Sequence, residues 1–290
     1  MTKQSPKPSA EPITKSDIME YLSKHDDFAL ELRCAKAIKE RNWEFMHGGT
    51  YEDPVTKKTR QFDIRAFRLN AHTQISLAIE CKAIRPSYPL VVSRYPRTKE
   101  ESYHDVIFCH PPVKNRIEPG IPKTTKTIRL EYQGTIYDYN TPVGKATVQV
   151  GRKDNGEITS GDAETFEKWS QALASIHNMI MASVDFAKVR SVEGLLHVAL
   201  PILVVSDKTL WAVDYSSHTL QADDPKQIDE AAIFIGKDYW QSMPSCNYSI
   251  SHLHIYTESG FTNFLDELSG MGRRWNPWFP IKEIENKIKK

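Results

Sequence analysis

Residues 194–207, "GLLHVALPILVVSD", form a nearly continuous apolar run. A run without polar alternation suits a β-strand buried on both faces, and such a strand needs helices on either side of its sheet. The chain supplies two helical patterns. Within 17–41, Phe28, Leu32, Ala35 and Ile38 recur at three- and four-residue steps behind Asp26 or Asp27 as a cap. Within 163–189, Phe166, Trp169, Leu173, Ile176, Ile180 and Val184 follow the helical repeat. Two strand-like runs, 60–69 and 74–83, are joined by the polar "NAH" and read as a hairpin. "TLWAVDY" alternates as a possible partner of the apolar strand, while "SHLHIYT" and "GFTNFLDELSG" close with a strand and a helix. The expected class is α/β, a mixed central sheet flanked by the helices over 17–41 and 163–189. Prolines at 86, 89, 96, 111, 112, 119, 122 and 142 forbid long helices over about 84–160, which is expected to be an insertion of loops and short strands. Residues 1–13, rich in Pro, Ser and Lys, have little to bury and are expected to be a flexible leader to a single domain over 14–290.

The hairpin carries charge where a buried strand disfavours it. Strand alternation puts Gln61, Asp63 and Arg65 on one face, with Phe62, Ile64 and Ala66 on the other. In the second run Ile75, Leu77, Ile79 and Cys81 share a face and Glu80 and Lys82 the opposite one. If the runs pair, Asp63 comes beside Glu80 and Lys82. Converging carboxylates repel each other unless something positive lies between them, a role that suits an oxygen-seeking divalent cation such as Mg2+ or Mn2+. The lysine adds a positive hydrogen-bonding group, so the set can hold a metal, bind a phosphodiester and activate or orient water.

Asp63 in "RQFDIRA" followed by Glu80-Cys81-Lys82 in "AIECKA" resembles the motif of the PD-(D/E)XK nuclease superfamily, particularly members similar to type IV restriction enzymes and Holliday-junction resolvases. Phe62 stands at the position of the motif's proline. Many members carry an acidic residue in the helix before the first core strand. Glu31 matches it, with Phe28, Ala35 and Ile38 as its helical neighbours. The resemblance covers about residues 20–90. It implies a restriction-endonuclease-like fold and divalent-metal-dependent hydrolysis of DNA phosphodiesters, by an endonuclease of prokaryotic defence or restriction. It also implies that Asp63, Glu80 and the backbone carbonyl of Cys81 hold Mg2+ or Mn2+, that Lys82 orients or deprotonates water and steadies the pentavalent phosphate, and that Glu31 supports a second metal or its water shell. The alternatives are a non-cleaving nucleic-acid-binding module, an RNA or structure-specific repair nuclease, and a purely structural salt-bridge network.

A formal net charge of +1, from 38 basic and 37 acidic residues, excludes a polycation that coats nucleic acid or anionic lipid indiscriminately. Any DNA contact must be a local patch. Residues 84–103 interleave Arg85, Arg94, Arg97 and Lys99 with Tyr88, Tyr95 and Tyr103. Arg85, Arg94, Tyr95, Arg97 and Lys99 are therefore the candidate DNA contacts, with a solvated loop as the alternative. Lys114, Arg116, Lys123, Lys126 and Arg129, against Glu118, could form a second phosphate-contacting loop. His252 and His254 share a strand face at a spacing zinc can use, but no neighbouring ligand completes a site, and hydrogen-bonded strand histidines are expected. Cys109 and His110, adjacent on an extended chain, point apart and make no nucleophile pair. "MGRRWNPWF" places Trp275 and Trp278 beside Arg273 and Arg274 and is expected to cap the core rather than bind a partner. Cys34, Cys81, Cys109 and Cys246 show neither CxxC nor framework spacing, which suits a reducing compartment. No apolar run approaches the roughly eighteen residues of a membrane span, and residues 1–12 lack the apolar core of a signal peptide. A cytoplasmic protein is expected, with DNA as its partner, no membrane, and a homo-oligomer or partner subunit left open.

Overall fold

The structure, a computed structural model, describes residues 11–24, 26–109, 125–132, 134–161, 163–189, 194–216, 222–239, 247–269 and 274–288. The pattern over 17–41 divides into α1 (Lys15–Lys24) and α2 (Asp27–Glu40). Asp26 caps α2: its carboxylate accepts from the Ala29 N–H at 2.9 Å, satisfying a donor that a helix's first turn leaves unpaired. The helix buries Leu30, Cys34, Ala35 and Ile38. Phe28 and Leu32, expected on the apolar face, are instead 62% and 47% exposed. Two four-residue rows of α2 are apolar, and packing selects the one through Leu30, Cys34 and Ile38.

Strands β1 (Glu44–His47), β2 (Thr50–Glu52) and β3 (Thr59–Gln61) lead into the expected hairpin, β4 (Ile64–Asn70) and β5 (Thr73–Lys82). Its antiparallel register runs from Ile64 opposite Ile79 to Asn70 opposite Thr73. The expected insertion then differs from its description. It holds β6 (Leu90–Pro96), β7 (Tyr103–Cys109), β8 (Thr125–Glu131), β9 (Pro142–Arg152) and β10 (Ile158–Gly161), strands of up to eleven residues that join the main sheet. Prolines mislead here because they sit at strand ends, where a missing N–H is tolerated: Pro89 precedes β6, Pro96 ends it and Pro142 starts β9. Beyond them come α3 (Ala163–Val189), β11 (Leu195–Val205), β12 (Leu210–Asp214), β13 (Lys226–Gln227), β14 (Glu230–Tyr239), β15 (Tyr248–Thr257), α4 (Glu258–Ser269) and α5 (Ile281–Ile288).

The sheet runs β1-β4-β5-β11-β15-β14-β9-β6-β12-β13, with β10 on β9 and β8 reaching β11 through β7. The apolar run is β11, buried over its whole length as expected. It lies parallel to β5 from Leu196 opposite Thr73 to Val205 opposite Lys82. Its other edge pairs first with β7, over 195–197, and then with β15, over 202–205. Pro201 falls in the gap between these partners, so its absent N–H breaks no ladder. "TLWAVDY" becomes β12, which pairs with β6 and β13 rather than with β11.

Both faces of the sheet are covered. On one, α2 and α4 pack with Trp275, Trp278 and Phe279 over β4, β5 and β11, so "MGRRWNPWF" caps the core through its tryptophans. On the other, Leu173, Ile176 and Ile180 of α3 pack against Ala78, Ala199 and Tyr248. His252 and His254 are buried and hydrogen-bonded, to Arg97 and Tyr137 respectively. No helix among the described residues is long and apolar enough to cross a membrane.

The packed face of α2 can be tested directly. Leu30→Ala should lose about 2–5 kcal/mol in urea unfolding, whereas Phe28→Ala should stay within about 0.5 kcal/mol of the parent. The reverse ranking would restore the face expected from periodicity.

Candidate active site

The hairpin register sets Asp63, just before β4, beside Glu80 on β5. Asp63 Oδ2 accepts from the Cys81 N–H at 2.8 Å, which fixes the first carboxylate to the strand carrying the second. Glu80 is only 1% exposed. Helix α3 lies over this face, and Lys168 Nζ donates to Asp63 Oδ2 at 2.7 Å and to Glu80 Oε2 at 3.4 Å. A single ammonium thus joins two carboxylates. Burial, then the charge of Asp63, pushes the Glu80 carboxyl up to about 8 against the pull of Lys168. Burial opposes the charge of Lys168 in turn, but Asp63 and Glu80 outweigh it and hold the amine above its ordinary range.

Glu31 approaches from α2. Its Oε2 lies 3.1 Å from His47 Nε2 on β1. Burial first and the charge of Asp63 second raise its pKa, with His47 and Lys168 acting the other way. Glu31 is therefore electrostatically part of the pair. Lys82 is drawn to α2 as well, its Nζ 3.3 Å from Asp27 Oδ2, while Asp27 Oδ1 accepts from the Ala83 N–H at 2.6 Å. Asp63, Lys82 and Lys168 open onto a cleft of about 560 Å3, also lined by Tyr21, Asp27, Thr59, Arg60, Gln61, Glu167 and Gln171. Arg60 Nε is buried without a hydrogen-bond partner among the described residues; its guanidinium stays 3.7 Å from Asp53 and 4.0 Å from Glu167.

Among the described residues no three His, Cys, Asp or Glu side chains gather around one point. The Asp63–Glu80 pair nevertheless suits a hard divalent cation: its donors are carboxylate oxygens, and it already draws the Lys168 ammonium between them. Mg2+ or Mn2+ matches that donor chemistry better than a soft metal.

Of the predicted catalytic residues, Asp63 and Glu80 meet at Lys168, Glu31 feels the charge of Asp63 but is held by His47, and Lys82 lines the same cleft as Asp63 while turned to Asp27. Most of the predicted DNA contacts do not join them. Arg97 is 5% exposed, and its guanidinium donates to His252 Nε2, the Asp138 carbonyl and Thr141 Oγ1, so it is an interior residue with no surface for phosphate. Arg94 forms a two-pronged pair with Asp214 at 2.6 and 2.8 Å. It and Tyr95 line a separate depression with Lys145 and Tyr215. Lys99 is exposed over the rings of Tyr132 and Tyr139. Arg85 stands exposed in the turn that leaves β5. In the second basic loop, Arg129 pairs with Asp105 and Lys126 donates to the Lys287 carbonyl; Lys114, Arg116, Glu118 and Lys123 lie outside the described residues, as do His110, Cys246 and Arg273.

Lys168, Gln171, Arg60, His47 and Asp27's tie to Lys82 escaped the sequence reading. A signal for two of them exists: Lys168, Gln171 and Ser175 recur at three- and four-residue steps beside the apolar stripe of α3, marking a polar row next to the buried one. Comparison with protein-family models, curated proteins and solved structures finds no match to this chain.

Glu80 makes stability depend on pH in a definite direction. Its folded pKa of about 8 exceeds the ordinary value of 4.5, so the folded state holds a proton that the unfolded state releases. The resulting stabilisation is full below 4.5 and is lost as pH rises toward 8. Glu80→Gln should therefore raise the melting temperature relative to the parent more at pH 8 than at pH 5; an equal shift at both would mean that Glu80 is not held protonated.

Proposed function

We propose that the chain is a divalent-metal-dependent nuclease that hydrolyses DNA phosphodiester bonds, an endonuclease of prokaryotic defence acting in the cytoplasm. The observation that carries this reading is the convergence of Asp63 and Glu80 on one positive charge at the wall of an open polar cleft. The element order supports it: helix α2, strand β1, hairpin β4–β5, helix α3 and then β11 parallel to β5 is compatible with a restriction-endonuclease-like core. In this reading Asp63, Glu80 and the Cys81 carbonyl hold Mg2+ or Mn2+, whose chemistry is to polarise the phosphate and acidify bound water. Lys82, held at the cleft by Asp27, orients water and offsets charge that builds on the phosphate. Glu31 acts on the water shell, with His47 fixing its carboxylate. Arg60, which lines the cleft, contacts substrate phosphates in this reading, in the stead of Arg94 and Arg97.

One observation favours a second reading. Lys168 supplies the positive charge between Asp63 and Glu80 from within the chain, as it would in a module that grips nucleic acid without cutting it. Incubation of the purified protein with plasmid, linear duplex, single-stranded DNA and RNA in Mg2+, Mn2+ or EDTA separates the two. Metal-dependent cleavage of DNA is expected, abolished by Asp63→Asn and Glu80→Gln. Lys82→Ala should slow it by about a hundredfold or more with DNA affinity in Ca2+ retained. Binding without cleavage in every metal would leave the non-cleaving module.

A further inference from the structure

Lys168 occupies the point at which a cation is needed. Its ammonium reaches both Asp63, at 2.7 Å, and Glu80, at 3.4 Å, yet it comes from α3, opposite the hairpin that carries both carboxylates. Lys82, the lysine next to the pair in sequence, is drawn 3.3 Å to Asp27. A divalent cation bound to the same oxygens would meet the Lys168 ammonium at close range, and like charges a few ångströms apart do not share a site. Lysine carries its charge on a flexible four-carbon stem, so the head can leave by rotamer changes alone. The space it would enter is the open cleft, which Lys168 already lines between Glu167 and Gln171 of its own helix and Arg60 of β3.

We propose that Lys168 is the resident counter-ion of the Asp63–Glu80 pair, displaced when a divalent cation binds, and that its released ammonium turns into the cleft as a catalytic group against the substrate phosphate. This rests on the nuclease reading above. The exchange keeps a cation beside Asp63 and Glu80 in either state, and ionising a side chain as enclosed as Glu80 without one is costly. It also gives the two lysines separate duties: Lys82 is fixed by Asp27, and Lys168 moves with the state of the site.

Lys168→Met removes the charge and keeps an unbranched side chain. Calorimetric titration of the full chain with Mn2+, without DNA, should show binding about tenfold to a hundredfold tighter than in the parent, the span over which groups around the ligands tune a metal's affinity. Plasmid cleavage at saturating Mn2+ should be about a hundredfold slower, as for loss of one group that stabilises the transition state. Mn2+ affinity that is unchanged or weaker overturns the counter-ion role, and a parental rate overturns the catalytic one. Should Lys168→Met fold only with cation present, Lys168→Gln followed by thermal unfolding reads the same exchange: recovery at lower Mn2+ than shifts the parent supports it, and no recovery overturns it. A parent chain that neither binds Mn2+ nor cuts DNA would instead bring down the nuclease reading, and this inference with it.

Discussion

All eleven residues of β11 are buried, so this strand must be covered on both faces and partnered on both edges. β5 takes one edge, β7 and β15 divide the other, α3 covers one face, and α2, α4 and the two C-terminal tryptophans cover the other. The site inherits its character from this arrangement. Glu80 lies opposite Leu203 of β11, on an interior strand flanked by β4 and β11, and its burial follows from that position. A carboxylate on an edge strand would titrate as an ordinary surface acid.

Because Glu80 is interior, the ion contacts around it differ in kind from those on the surface. Pairs such as Lys153 with Glu157, both ends half-exposed, contribute at most about 1 kcal/mol. Removing one partner of a buried pair costs about 3–5 kcal/mol, because the charge that remains has no water to replace the loss. Lys168, whose ammonium reaches the interior Glu80, belongs to the second group.

The hairpin and its acidic pair were legible in the sequence because a charge inside an alternating strand is a local anomaly: Asp63, Glu80 and Lys82 are out of place among Ile64, Ile79 and Cys81 whatever surrounds them. The continuous run of β11 was legible for the complementary reason, since it has no polar side to turn outward. Lys168 was not. A lysine on a helix is ordinary, and only the docking of α3 across the hairpin shows that its head is enclosed. Arg97 failed in the opposite direction, since an arginine among tyrosines reads the same whether it faces solvent or, as here, His252 and the Asp138 carbonyl. The length of the strands within 84–160, and their place in the main sheet, stayed hidden because proline counts carry no information about whether a proline lies at a strand's end or in its middle. In α2 two apolar rows competed, and nothing local to the helix ranks Leu30 above Phe28.

Asp27 joins two parts of the chain that are far apart in sequence. One oxygen of its carboxylate meets the Lys82 ammonium and the other the Ala83 N–H, so the first turn of α2 is pinned both to that lysine's head and to the backbone just behind it. The start of the helix and the end of the strand are therefore held at a fixed spacing. Four residues further along the same helix, Glu31 leans on His47, a second fulcrum on β1. A rotation of α2 about its axis would have to break both the Asp27–Ala83 and the Glu31–His47 contacts, so the helix is latched at two points four residues apart while the hairpin register fixes Asp63 and Glu80 independently.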